Sequence, residues 1–217
     1  IYYINLSNDS YKLGGSSFAQ INDRIGNESP TIASANAFKK GFNALQELID
    51  QERILAGHDI SSGGLLTTLL EMCFSQESVG MEIDLSTIEE SDTVKLLFAE
   101  NSGVIFQSTD PEIVTILNEK GVTFYTIGKA VQGNEVNITN HGKQWKFNIS
   151  ELRDEWYETS YLLDQKQSGE VKAKERFENY KKQPLKFDFP AHFTGLKPDI
   201  PAGARPKAAI IREKGSK

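Results

Sequence analysis

The sequence predicts an α/β fold, more closely an α+β sandwich in which helices pack on a mixed β-sheet. Short apolar or alternating runs recur along the chain between longer segments with helical spacing, which is the pattern of such a fold. The 217 residues are 38% apolar and 25% charged, enough for one packed domain and a tail. No apolar run approaches the roughly 18 residues that a membrane-spanning helix needs, so we expect no membrane partner.

The predicted strands are short. Ile54–His58 is mainly apolar and lies between two helical patterns, and we expect it to be buried. Gly80–Leu85 alternates between apolar and polar residues, as a strand with one buried face does. The remaining predicted strands are Ile1–Leu6, Val104–Gln107, Val122–Ile127, Glu135–Thr139 and Trp145–Ile149.

The clearest helix is predicted over residues 32–52, where apolar residues recur at steps of three and four. A second begins at Gly63 and Gly64 and runs to Phe74; it is apolar on nearly all sides, so we expect it to be buried. Further helices are predicted after a cap at Ser16 or Ser17, near Thr93–Ala99 and, capped by Asp110, over Pro111–Lys120.

The character of the sequence changes after Ile149. A helix from Ser150 to about Gln167 precedes a stretch that contains five of the seven prolines, which predicts an extended linker. The segment Pro206–Arg212 then predicts a first strand of a further domain. The side chains expected to be buried along the helix are Leu152, Trp156, Tyr157, Leu162 and Leu163. The predicted divisions are a domain at 1–149, a helix and proline-rich linker at 150–204, and a strand of a truncated domain at 205–217.

Charge is divided unevenly along the chain. Residues 1–164 contain 11 Lys/Arg and 24 Asp/Glu, whereas residues 165–217 contain 13 and 6. An acidic body argues against a surface that binds nucleic acid. The basic tail is more simply explained as a solvated linker, so we expect no nucleic-acid partner.

A single cysteine, Cys73, excludes an intramolecular disulfide framework and a multi-cysteine zinc site. This composition is compatible with a reducing cytoplasm, which is the location we expect. Because no neighbour in the predicted buried helix would lower its pKa, a packed thiol is favoured over a nucleophile. The chain begins at Ile1 without a basic segment, so we expect no signal peptide in it.

The sharpest functional motif is the segment His58–Leu65, His-Asp-Ile-Ser-Ser-Gly-Gly-Leu, between a strand and an apolar helix. Its glycines allow a tight turn, and Ser61 and Ser62 place hydroxyls near a helix N-terminus, which favours an anion. Asp59 adds a hard oxygen ligand of the kind that Mg²⁺ takes together with phosphate. A Mg²⁺–phosphate contact and a capped helix with a glycine turn are equally compatible with these residues.

Other candidate residues carry weaker indications. The segment Leu13–Ser17, Leu-Gly-Gly-Ser-Ser, precedes a helix, and a plain turn and cap explains it best. Glu71 lies in the apolar helix, either buried with a function or, as we favour slightly, at its rim. Glu100 is open between binding a backbone amide and binding a ligand. The loop residues His141 and His192 have no metal-ligand spacing and are assigned no role.

Several of these segments, together with the end of the chain, resemble a known family. The segments that resemble the C-terminal domain of the AIR synthetase superfamily are Leu13–Ser16, His58–Leu65, Glu71–Met72, and Phe98–Glu100 with Gly103–Val104. Glu151–Trp156 and Ala202–Glu213 resemble the junction with the glutaminase domain in large-type phosphoribosylformylglycinamidine synthases. The His-Asp motif is shared across the superfamily, whereas Arg205-Pro206-Lys207 narrows the resemblance to this enzyme family.

The resemblance implies part of an enzyme that converts formylglycinamide ribonucleotide, ATP and glutamine to formylglycinamidine ribonucleotide in purine biosynthesis. It implies that this part is a scaffold with an auxiliary Mg²⁺–nucleotide site, no catalytic residue of its own, and no activity alone. Its partners would be the N-terminal synthetase-like half and the glutaminase domain. Asp59 would be the Mg²⁺ ligand and Ser61 a contact to ATP or ADP. The other residues assigned to nucleotide binding are Gly63, Gly64, Gly14, Gly15 and Ser16.

Ser62 departs from the family pattern, which often has aspartate there. Without that carboxylate, direct catalysis is disfavoured and a nucleotide-binding role is left. One alternative is another ATP-dependent superfamily enzyme, such as AIR synthetase, selenophosphate synthetase or thiamine-monophosphate kinase; the junction Ala204–Lys207 argues against it. The other alternative is a non-catalytic packing module.

Overall fold

The computed structural model describes residues 1–76, 78–182 and 187–196. The chain divides into two compact units, Ile1–Phe177 and Glu178–Lys217. The first unit carries two four-stranded sheets with helices packed against them, which confirms the predicted mixed α/β class and divides the strands between two sheets. The helices are α1 (Ser17–Ile21), α2 (Ala35–Asp50), α3 (Gly64–Phe74), α4 (Thr93–Phe98), α5 (Ile113–Glu119), α6 (Ile149–Ser168) and α7 (Glu170–Asn179).

The first sheet is fully antiparallel. Its strands, in spatial order, are β2 (Ala56–Asp59), β4 (Gly103–Gln107), β1 (Tyr2–Asn5) and β5 (Phe124–Thr126). Alternation along β1 sends Ile4 toward a core shared with α2 and α5, and Tyr3 toward a core shared with α3 and α4. Helices therefore cover both faces of this sheet.

The second sheet is mixed. Its spatial order is β6 (Gly128–Gln132), β3 (Val79–Asp84), β7 (Glu135–Asn140) and β8 (Lys143–Asn148). Strand β3 pairs antiparallel with β6 and parallel with β7. Buried residues of β3 and β7, such as Met81 and Ile138, join the core that contains Tyr3 and the apolar side of α3. One continuous core thus links the two sheets through α3.

The predicted helices of the first unit are all present, and α3 is buried as expected. Strand β6 was not predicted, because its five residues start directly after β5 with only Ile127 between them. The expectation that Ile54–His58 is a buried strand was wrong: β2 lies at the sheet edge, and Ala56, Gly57 and Asp59 are exposed. Apolar composition indicated a strand there, but it could not indicate an edge.

Helix α6 is only partly buried, which corrects the expected burial of Trp156, Leu162 and Leu163; all three are about half exposed. Only the first turns of α6 meet the core, where Ile149 and Arg153 are buried. Farther along, α6 contacts α7, with the Tyr161 and Phe177 rings stacked at 4.6 Å between centroids.

The described part of the second unit is short. Within it, the rings of Phe189 and Phe193 stack at 4.8 Å between centroids. The strand predicted at 205–217 and four of the five linker prolines lie outside the described residues. The division at 149 and 204 stays a prediction. In the described ranges, no helix combines the length and the apolar character needed to cross a bilayer.

Candidate functional site

The His-Asp segment forms the turn between β2 and α3. Ile60 fixes the exit of the strand, since it is buried and its N–H donates to the Gly103 carbonyl at 2.8 Å. Ser61 and Ser62 follow on the surface. Gly63 and Gly64 then adopt φ of 86° and 69°, the left-handed region that disfavours side chains. A Cβ at Gly64 would lie 2.8 Å from the Leu97 carbonyl oxygen, so glycine is what lets α3 approach α4 this closely.

The second glycine segment, Leu13–Ser17, forms the entry to α1. The Gly14 N–H donates to Glu28 O at 2.9 Å and the Gly15 N–H donates to Ile25 O at 2.8 Å. Ser16 is 1% exposed and caps α1 by accepting the Ala19 N–H at 3.2 Å. The N–H groups of Gly14 and Gly15 are therefore already bonded within the chain.

Glu100 joins the two segments. Its Oε1 accepts the Ser17 N–H at 2.8 Å and the Gly63 N–H at 2.9 Å. The carboxylate reaches both from the connection between α4 and β4, although the donors are 83 and 37 residues away in sequence. Of the two roles left open for Glu100, the structure shows the bond to backbone amides, and it shows two of them.

Asp59 is the last residue of β2, and its side chain is 76% exposed. Its backbone is fixed by pairing with β4 and by the Thr68 hydroxyl, which lies 3.3 Å from the Asp59 carbonyl oxygen. The exposed carboxylate lies beside the surface residues Ser61 and Ser62 in the chain. This arrangement offers hard oxygen atoms to a cation.

The residues fit Mg²⁺ as contributors to its coordination. In the described part of the chain, no group of three His, Cys, Asp or Glu side chains could hold a metal ion. Mg²⁺ is commonly bound by one or two carboxylates together with phosphate oxygens and water. Asp59 can supply one carboxylate, and the remaining ligands would come from the nucleotide, from water and from other residues.

His58 and Glu71 lie behind this turn. His58 Nδ1 is 2.8 Å from the Asp59 carbonyl oxygen, and Nε2 is 3.3 Å from Glu71 Oε2. The other Glu71 oxygen accepts the Trp156 indole N–H at 2.8 Å. The Glu71 side chain is 20% exposed, which agrees with a position at the rim of α3, and it connects the turn to α6.

The remaining candidates play no part in this cluster. Cys73 is buried in α3, and desolvation raises the pKa of its thiol to about 11, which supports a packed thiol and not a nucleophile. His141 lies in the β7–β8 turn, where its N–H donates to the Ser86 hydroxyl at 2.9 Å. His192 lies in the short described segment of the second unit.

Three surface clefts bear on the location of a ligand. One of about 390 Å³ is lined by His58 and Asp59, together with apolar residues such as Ile54 and Phe106. A cleft of about 620 Å³ runs along the second sheet and contains none of the predicted site residues. A cleft of about 260 Å³ lies beside Gly14, with Lys12 and Lys95 among its lining residues. The smallest of the three clefts adjoins the glycine segment 13–17, and its lysines suit an anionic group.

Comparison with known proteins finds similar sequences in one family and a similar fold among solved structures. The family model for the AIR synthase related protein, C-terminal domain, matches residues 6–140. Phosphoribosylformylglycinamidine synthase of Schizosaccharomyces pombe is 33% identical over 99% of this chain and 17% of its own length. The probable phosphoribosylformylglycinamidine synthase of Caenorhabditis elegans is 32% identical over 98% of this chain and 18% of its own length.

Among solved structures, Thermotoga maritima PurL complexed with ATP superposes with a TM-score of 0.51. The match covers 70% of this chain and 25% of that protein at 11% identity, so it shows the fold alone. The present chain spans less than one fifth of the length of the Schizosaccharomyces pombe and Caenorhabditis elegans relatives.

Proposed function

The chain belongs to the AIR synthase related protein family, whose C-terminal domain it contains, and we propose that it is part of a phosphoribosylformylglycinamidine synthase. The whole enzyme would be an ATP-dependent ligase with a glutamine amidotransferase, in the cytoplasm. ATP would phosphorylate the amide oxygen of formylglycinamide ribonucleotide, and ammonia released from glutamine would displace phosphate to form the amidine. Similarity to two such synthases over 98% and 99% of the chain supports this assignment.

Within that enzyme, we propose that this chain scaffolds the neighbouring domains and contributes to a nucleotide site. The observation that carries the proposal is the turn after β2, where the exposed Asp59 carboxylate precedes two exposed serines. Asp59 would hold Mg²⁺, and Ser61 would donate a hydrogen bond to ADP or ATP. When bound, Mg²⁺ would neutralise the phosphate charge.

The glycine residues would shape this site. The Gly63 N–H is bonded to Glu100 and the Gly64 N–H to the Ser61 carbonyl, at 2.9 and 3.0 Å. A phosphate would therefore meet the Ser61 and Ser62 hydroxyls rather than these two amides. Gly14 and Gly15 would shape the neighbouring surface, and Ser16 would hold α1 in place.

The same hydrogen bonds favour one alternative, a packing module without nucleotide. The N–H groups of Gly14, Gly15 and Gly63 already have partners inside the chain, as they would in a purely structural turn. The two proposals differ in whether the full-length protein retains nucleotide.

The test uses the full-length protein with Asp59→Asn. Wild type and variant are purified in Mg²⁺, denatured, and assayed for released ADP per chain. We expect near-stoichiometric ADP from wild type and a roughly 10- to 100-fold weaker retention in the variant, because a charged cation ligand is lost. The matched control is Asp84→Asn, since Asp84 is also the exposed last residue of a strand. It should retain ADP as wild type does.

Two outcomes would contradict the proposed site. Equal ADP in wild type and Asp59→Asn would make Asp59 a turn residue only. Absence of nucleotide from wild type would favour the packing module. The parent reaction is tested separately, by formation of formylglycinamidine ribonucleotide from the three substrates by the full-length enzyme.

A further inference from the structure

We infer that Glu100 is a positioning residue, which fixes the two glycine segments 13–17 and 61–64 relative to each other at the proposed nucleotide site. The inference rests on the proposed function for the identity of the ligand. Its structural basis is a single carboxylate oxygen that accepts the Ser17 and Gly63 N–H groups at 2.8 and 2.9 Å. Glu100 itself is not assigned a contact to the ligand.

This contact differs from an ordinary helix cap. Asp92, at the other end of α4, accepts the Val94 N–H at 2.9 Å and the Lys95 N–H at 3.4 Å, and so serves only its own helix. Glu100 instead serves the first residue of α1 and the residue that precedes α3. Removing its carboxylate would break the hydrogen bonds that join these two segments, which lie far apart in the sequence.

The backbone on both sides of Glu100 is held firmly, so its carboxylate is preorganised. Ala99 is buried, and its N–H donates to the Lys95 carbonyl at 2.9 Å. Asn101 is 1% exposed and donates to the Ser7 hydroxyl at 3.0 Å and to the Ser10 carbonyl at 3.1 Å. A further contact ties α1 to α4, where the Phe18 and Phe98 rings stack at 4.7 Å.

The position of the carboxylate also bears on the charge of the ligand. Glu100 places a negative charge at the positive N-terminal end of α3, a favourable arrangement with the helix dipole. An anion bound at Ser61 would then lie two residues from an amide already occupied by a carboxylate. This favours a nucleotide that arrives with a divalent cation over one that arrives alone.

The experiment compares Glu100→Ala, Glu100→Gln and Asp92→Ala in the full-length protein. Retained ADP is measured after denaturation, and hydrogen exchange is followed in peptides covering the two glycine segments. In Glu100→Ala we expect roughly 10-fold or greater loss of ADP and faster exchange in both segments, because two partly buried hydrogen bonds are lost together. Glu100→Gln should keep most of the ADP, since an amide oxygen can accept the same two N–H groups. Asp92→Ala should loosen α4 and leave ADP unchanged.

Other results would overturn the inference. Unchanged ADP and exchange in Glu100→Ala would mean that the carboxylate fixes nothing. Equal ADP loss in Glu100→Ala and Glu100→Gln would assign the effect to charge and not to position. Equal loss in Asp92→Ala would reduce it to general stability. If Glu100→Ala is insoluble, Glu100→Asp replaces it, because a side chain shorter by one methylene cannot reach both amides.

Failure of the inference can be distinguished from failure of the proposed function. If wild type holds no ADP, the nucleotide site is wrong, whereas the exchange measurements still test whether Glu100 fixes both segments. If wild type holds ADP and Asp59→Asn loses it, the site stands whatever Glu100 does.

Discussion

The two glycine segments of this chain have similar compositions and different structural uses. In Leu13–Ser17 the glycines come first, and Ser16 follows as a buried cap of α1. In Ser61–Gly64 the serines come first, and the left-handed Gly63 occupies the cap position of α3. The order of serine and glycine before the helix therefore decides whether the serine hydroxyl is buried as a helix cap, as at Ser16, or exposed to solvent, as at Ser61 and Ser62.

The comparison teaches that a glycine pair beside serine is not by itself a ligand site. The side chain of a serine at the N-cap points toward the first helical turn, where its oxygen accepts a hydrogen bond from a backbone N–H. A glycine at that place has no side chain, so the preceding serines remain available to solvent. The first two predictions below change a residue in each segment and use one segment as the reference for the other, and the third concerns the loop that leads into segment 13–17.

The largest effect is expected for Gly64→Ala. The new Cβ would combine a left-handed backbone with a 2.8 Å approach to the Leu97 carbonyl oxygen, and together these cost about 3 kcal/mol. Gly15 has a similar φ of 76°, but no heavy atom lies within 4 Å of its Cβ position, so Gly15→Ala should cost about 1 kcal/mol. Hydrogen exchange of the α3 and α1 peptides in the full-length protein measures both. Equal effects would mean that backbone conformation, and not packing, dominates at Gly64.

A smaller effect is expected when the serines are exchanged for alanine. Ser16→Ala removes the cap of α1 and should destabilise that helix by about 1 kcal/mol, with little loss of ADP. Ser61→Ala should leave α3 stable and lower ADP retention several-fold, because it removes one hydrogen bond to the ligand. Exchange rates and released ADP are read from the same preparations. Greater ADP loss in Ser16→Ala than in Ser61→Ala would reverse the roles assigned to the two segments.

The smallest effect concerns pH and the loop that leads into the first segment. The Asp9 carboxylate accepts hydrogen bonds from the Lys12 ammonium at 2.7 Å and from the Thr31 hydroxyl at 2.8 Å. These bonds hold the pKa of the Asp9 carboxyl well below the usual range. A lowered folded-state pKa stabilises the loop above the unfolded value of about 3.9, and this contribution disappears as the pH falls through the folded value. Asp9→Asn should therefore exchange faster than wild type in residues 9–17 at pH 6.

That difference should shrink as the pH falls below about 4, because the open loop then takes up a proton on Asp9 more readily than the folded loop does. The exposed Glu52→Gln serves as the control and should match wild type at each pH. A difference that stays constant down to pH 3 would show that the charge of Asp9 does not anchor the loop.

Much of the fold was predictable because its helices and strands are signalled locally. The spacing of apolar residues defined α2, and a Gly-Gly turn before an apolar run defined α3. Burial was less predictable, because it depends on distant partners. Strand β2 looked buried and lies at an edge. The second half of α6 looked buried, but Leu162 and Leu163 are about half exposed.

The candidate site was predictable in its parts and not in its assembly. The motifs drew attention to both glycine segments and to Asp59, but nothing local to Glu100 indicates two backbone partners so far away in sequence. An acidic residue between a helix and a strand was the only signal, and many structural turns share it. The contact from Trp156 to Glu71 is equally remote, at 85 residues.

The long reach of Glu100 has a consequence for how the protein is made. Both glycine segments leave the ribosome before residue 100 does, so neither can be fixed by this carboxylate when it first appears. Strand β1 likewise cannot pair along both edges until β4 and then β5 have been synthesised. Contacts of such high sequence separation form late, after local helices. During synthesis the apolar helix α3 emerges before β3, β4 and β7, which share its core, so this interval is the point at which a chaperone would be most useful.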